Sequence, residues 1–242
     1  MTRRIVVALD ESPASYRALQ SAARLAAEMS AEILALFIEE ADLFSVAAMP
    51  GSSIVSFEAG NIAPFDESSL LRGLRVQARR LREDVARIAA DYRVSWQFEV
   101  ARGRVCEEIL KYAESSEMVA IGASSRLRRR GLGANVGTIL REARCSVLVF
   151  HERASSAARI VVMNGAPAAK RIGEVLARMT GALGFEVIEP GTAREALDRL
   201  MRLAPSHVVT DRAFLAKIGL SPQELVNGLD LEALILASEG NP

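Results

Sequence analysis

Two places in this 242-residue chain carry side chains whose types and spacing could do chemistry. The first follows the apolar run Met118 to Ile121 and opens Gly122-Ala123-Ser124-Ser125-Arg126, continuing through Arg128, Arg129 and Arg130 to Gly133 and Ala134. A glycine at the carboxyl end of a parallel strand lets the backbone turn tightly and a ligand approach closely. Free amides at the start of the next helix attract anions. The hydroxyls of Ser124 and Ser125 can donate to phosphate oxygens, and arginine can grip phosphate bidentately. An ordinary soluble loop has the same composition, so spacing leaves both readings open. The second place is Asp10, directly after the run Ile5 to Leu9. A carboxylate there accepts from a ribose hydroxyl or a base amine. It serves equally well as a turn carboxylate capping the helix that follows.

These residues need elements to position them. Arg4 to Leu9 is a short apolar run rich in β-branched residues, the pattern of a strand buried on both faces. Ser12 and Pro13 read as an N-cap and first helical residue, with Tyr16, Leu19, Ala23, Ala26 and Met29 following at helical spacing. Ile33 to Ile38 is a second strand, so the chain opens β-α-β with parallel strands. Residues 39–66 mix Gly, Ser and Pro with isolated apolar residues and read as a surface insertion or a lid. Asp66 to Asp91 is a long helix with a buried leucine-rich stripe; its other face carries Arg72, Arg75, Arg79, Arg80, Arg82 and Arg87. Strands at 94–100, 118–121 and 146–150, with helices from Cys106 and over 134–143, complete an alternating α/β unit.

A Ser/Ala-rich segment, 153–158, reads as a linker between a domain over 1–152 and a smaller one over 159–242. The second region alternates again. Its strands fall at 159–163, 185–188 and 207–210, with another at 234–236, and its helices at 168–183 and 192–203. Thr192 with Glu195 three residues on reads as a capping box. Asp211, after Val208-Val209-Thr210, stands where a phosphoacceptor could lie and also where a helix cap would. No acidic pair accompanies it, because Asn164 and Gly165 end the first strand of this half.

Composition closes several function classes. Thirty Lys+Arg balance 30 Asp+Glu, which gives no global basic field for nucleic acid; the arginine face of the long helix is its one support. Two cysteines, expected to be buried, and two histidines give no ligand spacing for a metal. Without a charged leader or a long apolar stretch, a soluble cytoplasmic protein with no membrane span is expected. No catalytic constellation stands out.

Ile5-Val6-Val7-Ala8-Leu9-Asp10-Glu11-Ser12 resembles the opening of the universal stress protein family. Val100-Ala101-Arg102-Gly103, Met118 to Gly122 and Ala143 to Phe150 resemble further segments of that family in the same order, so the likeness covers residues 3–151. It implies an α/β fold with a five-stranded parallel sheet flanked by helices, Rossmann-like, followed here by a second, smaller α/β region read as a degenerate copy. It implies dimerisation, often through the last strand; here Val147 to Phe150 could instead pair within the chain with Leu234 to Leu236, a pseudo-dimer of tandem domains in place of a homodimer.

Some members of the family bind ATP through a glycine, two residues, a second glycine, nine residues, then a glycine followed by Ser or Thr. Gly122 and Gly133 match the first and third glycines, Ser125 replaces the second, Ala134 replaces the Ser or Thr, and only residues 126–132 lie between. The hydroxyl missing at Ala134 removes a phosphate hydrogen bond worth roughly 1.5–3 kcal/mol. The resemblance therefore implies a stress-response signalling or adaptor protein acting on a protein partner. The alternative is an adenine-nucleotide switch, possible with slow ATP hydrolysis, lined by Asp10, Gly122, Ser124, Ser125, Arg126, Gly133 and Ala134.

Overall fold

The computed structural model describes residues 3–49, 51, 53–55, 62–64, 66–123, 134–151, 158–164, 166–229, 231 and 233–237. The first half runs β1 (Arg4–Leu9), α1 (Pro13–Met29), β2 (Glu32–Glu40), α2 (Ala41–Ala47), β3 (Ser53–Val55), β4 (Ile62–Pro64), α3 (Glu67–Tyr92), β5 (Trp96–Gly103), α4 (Val105–Ala113), β6 (Met118–Ala123), α5 (Ala134–Glu142) and β7 (Ser146–His151). The second runs β8 (Ile160–Met163), α6 (Pro167–Thr180), β9 (Phe185–Ile188), α7 (Ala193–Leu203), β10 (His207–Asp211), α8 (Arg212–Ile218), α9 (Pro222–Gly228) and β11 (Ala233–Ala237).

The apolar runs become strands for the expected reason: residues of β1, β6, β7 and β8 are buried on both faces, so a continuous hydrophobic run is tolerated. Helix starts are chemically marked. Ser12 accepts from the Ser15 amide with Pro13 in the first turn, and Asp66 forms a reciprocal capping box with Ser69. The Thr192 hydroxyl caps α7 as its spacing predicts, but the expected box does not close on Thr192: the Glu195 carboxylate instead accepts from the Gly191 amide at 2.8 Å. The strand expected over 94–100 forms later, at 96–103, because Arg93 ends α3 in a left-handed conformation and Val94 still bonds back to Ala89. Segment 39–66 is not structureless; it holds α2 and the small β3–β4 hairpin.

One sheet of nine strands runs through the chain in the order β5-β2-β1-β6-β7-β11-β10-β8-β9. The five strands of the first half are parallel to one another. So are β11, β10, β8 and β9. The order β9-β8-β10-β11 repeats that of β2-β1-β6-β7. The halves join where β7 meets β11 antiparallel, with Val149 opposite Leu234 and Val147 opposite Leu236, the pairing the two apolar edges call for. The linker expected at 153–158 lies almost wholly outside the described residues.

Helices cover both faces of this sheet, and each hydrophobic core draws on both halves. Ile5, Val7 and Leu148 share one core with Val162, Leu176 and Val209. Val6, Val119 and Val147 share the other with Val161, Leu200 and Val208. Across the join the Arg24 guanidinium donates to the Met179 carbonyl, and Arg178 pairs with Glu28 at 3.2 Å.

Gly122 shows how tightly α1 sits on β6. A Cβ there would lie 2.4 Å from the Ser15 nitrogen and 2.5 Å from the Ala14 carbonyl carbon, backbone atoms that have no rotamer to yield. Gly122→Ala is therefore expected to cost ~1–3 kcal/mol, several degrees in Tm, whereas Gly184→Ala, which meets open space, should be near neutral; thermal unfolding followed by circular dichroism compares them. Because β11 occupies the β7 edge, light scattering should return the mass of one chain. A dimer that dissociates when Val149 is changed to Lys would show that the edge pairs between chains instead.

Candidate functional site

The sequence-predicted site divides between described and undescribed residues. Ser124, Ser125, Arg126 and Gly133 lie outside the described residues, as does the Ala134 side chain. Asp10 and Gly122 are described, and both sit where a ligand would be met: at the carboxyl ends of β1 and β6, beside the crevice where strand order reverses around β1.

Local hydrogen bonding fixes Asp10. Its Oδ1 accepts from the Ser12 amide at 2.9 Å, a turn closed by a side chain. Ser15 Oγ donates to the Asp10 carbonyl at 2.5 Å, and the Ser15 amide donates to Ser12 Oγ at 3.1 Å. Asp10 is thus the turn carboxylate that launches α1, and Gly122 is the gap into which the first turn of α1 fits. The carboxylate remains exposed, and among the described residues only its Oδ1 is engaged.

The other candidates resolve toward structure. Arg79 pairs with Glu83, Arg80 with Glu11 and Arg87 with Asp84, while Arg87 also lies 5.8 Å from the Tyr16 ring centroid. Half of the arginines on α3 therefore already have acidic neighbours, as on a solvated face. Asp211 caps α8, its Oδ1 accepting from the Phe214 amide at 2.7 Å. Its Oδ2 accepts from Asn164 Nδ2 at 2.8 Å, a pairing that links the ends of β8 and β10. Sequence reasoning missed this pair, since 47 residues separate its members.

Of the two cysteines, Cys145 is buried as expected, but Cys106 is only half-buried, its Sγ 3.1 Å from Asn135 Oδ1. Burial pushes the Cys145 thiol up to about 11, and burial followed by the nearby Glu142 carboxylate raises Cys106. Raised values mean less thiolate at a given pH. Alkylation of Cys106 should therefore lag that of free cysteine at about pH 8, while Cys145 stays unlabelled until the fold opens; mass spectrometry of iodoacetamide-treated protein reads both. Among the described residues no group of three or more His, Cys, Asp or Glu is placed to hold a metal, and no helix is long and apolar enough to cross a membrane.

The model of the universal stress protein family matches residues 1–151. A universal stress protein from Archaeoglobus fulgidus is 13% identical, covers 98% of this chain and 98% of its own, and superposes with a TM-score of 0.65. A Pseudomonas aeruginosa protein of unknown function is 15% identical, covers 98% of this chain and 92% of its own, with a TM-score of 0.55. A Burkholderia pseudomallei protein of the universal stress protein family is 23% identical over 60% of this chain and 93% of its own, with a TM-score of 0.45. No curated protein matches. Since the family model spans more than half of its length, the chain belongs to the universal stress protein family.

Proposed function

We propose that this chain is a cytoplasmic stress-response adaptor that works through contacts with a protein partner and without evident catalysis. The observation that carries the reading is the departure from the nucleotide motif at Ser125 and Ala134. The described positions of that motif, Asp10 and Gly122, each have a structural role at the β1–α1–β6 junction. The second half, read as a degenerate copy of the first, supplies the pairing strand β11 that a second chain would otherwise bring.

A second reading, an adenine-nucleotide switch, is favoured by one specific feature. Asp10 carries an exposed carboxylate at the crevice between β1 and β6, with only Oδ1 engaged among the described residues. Calorimetric titration of ATP with magnesium separates the two, with Asp10→Asn, which keeps the Oδ1 acceptor, and Arg126→Ala alongside. The adaptor reading expects no saturable heat from any of the three. Saturable binding by the wild type, weakened about tenfold or more in Arg126→Ala, would give the switch reading the site.

A further inference from the structure

We propose that the second half of the chain holds a separate binding site for a ligand bearing vicinal hydroxyls, either a free sugar or the ribose of a nucleoside. A cavity of about 630 Å³ opens at the carboxyl ends of β8, β9 and β10, within the ~300–1,000 Å³ usual for small-molecule sites. β8 is flanked by β9 on one side and β10 on the other, so strand order reverses around it and the crevice beyond its carboxyl end is where open α/β sheets take ligands.

Asn164 and Asp211 line this cavity from adjacent strand ends. Asp211 is 9% exposed, and each of its oxygens accepts one bond, from the Phe214 amide and from Asn164 Nδ2. A carboxylate oxygen has room for two. The bond from Nδ2 also fixes the Asn164 amide, whose oxygen has no partner among the described residues. Asn164 holds this position at φ 61°, a left-handed conformation that asparagine tolerates better than most residues. Two side chains thus present spare acceptors side by side, the arrangement that reads neighbouring hydroxyls. Glu189 adds an acceptor at the rim, and Pro190 and Phe214 give an apolar wall for the C–H face of a ring.

Phosphate fits the floor poorly. The Phe214 amide in the first turn of α8 is already taken by Asp211, and the carboxylate repels anions. Of the two cations in the lining, Arg212 has Nε and Nη1 turned to carbonyls of the first half, and Lys217 is exposed. The first half differs here: Asn164 stands after β8 where Asp10 stands after β1, and the carboxylate of this half, Asp211, stands at the end of β10. The wall is also held in place. Arg212, which opens α8, donates from Nε to the Leu140 carbonyl at 2.8 Å and from Nη1 to the Cys145 carbonyl at 3.4 Å, both in the first half.

The test is nuclear magnetic resonance titration of the ¹⁵N-labelled full chain with ribose, adenosine and 2′-deoxyadenosine. Saturable shifts are expected at Asn164, Gly191, Ala213 and Lys217 and not at Asp10 or Gly122, with affinity lowered about tenfold or more for the deoxy compound. Binding by ribose identifies a sugar site; binding by adenosine alone identifies a nucleoside site. Asp211→Asn, which can still cap α8 through Oδ1, should weaken binding about tenfold. Ala213→Trp, at an exposed wall position, should abolish it with Tm unchanged. The proposal is overturned if no probe gives saturable shifts, if the shifts map to Asp10 and Gly122, or if the deoxy compound binds as well as adenosine.

Discussion

The antiparallel pairing of β7 with β11 governs the rest of the molecule. β7 is buried along its whole length, and as the last strand of a five-stranded sheet it would offer an apolar edge with unpaired backbone groups. β11 satisfies that edge from the same chain. Once it does so, the two sheets become one, and the helices beside the join must pack against each other on both faces. On one face α1 and α6 come together, with Arg24 and Arg178 reaching across; on the other, Arg212 ties α8 to the end of α5. Neither core is complete in one half.

The β1–α1–β6 junction shows one set of residues meeting two demands. A helix that starts hard against a strand needs a glycine at the contact and a short polar side chain to turn the chain. A phosphate site at the same place needs the same residue types. Gly122 and Asp10 therefore persist whether or not a ligand is bound, and their presence distinguishes the two functions poorly. The positions that would discriminate lie further along, where Ser125 and Ala134 depart from the pattern.

Much of the fold was legible because its signals are local. Runs such as Ile5-Val6-Val7 and Val147-Leu148-Val149 mark strands covered on both faces, and Ser12-Pro13 marks a helix start. What escaped were short or non-local features. α8 and α9 have seven residues each, too few for a helical period to show; the signal that could have found α9 is Ser221-Pro222 with Glu224, a capping-box pattern. The closeness of Gly122 to α1 and the bond between Asn164 and Asp211 depend on how distant elements pack, which spacing along the chain does not encode. Cys106 was expected inside because thiols are commonly buried, but it lies on α4 only half covered.

The reversal of direction at the β7–β11 join gives the protein a polarity. Strands of the first half point their carboxyl ends to one rim of the sheet, and those of the second half point theirs to the other. The crevice at Asp10 and the cavity at Asp211 consequently open on opposite rims of a single slab. Occupants of the two mouths cannot touch, and a partner surface that caps one leaves the other accessible. The two rims are linked within the chain by the shared cores and by the Arg212 tether, the physical route along which an event at one rim would be felt at the other.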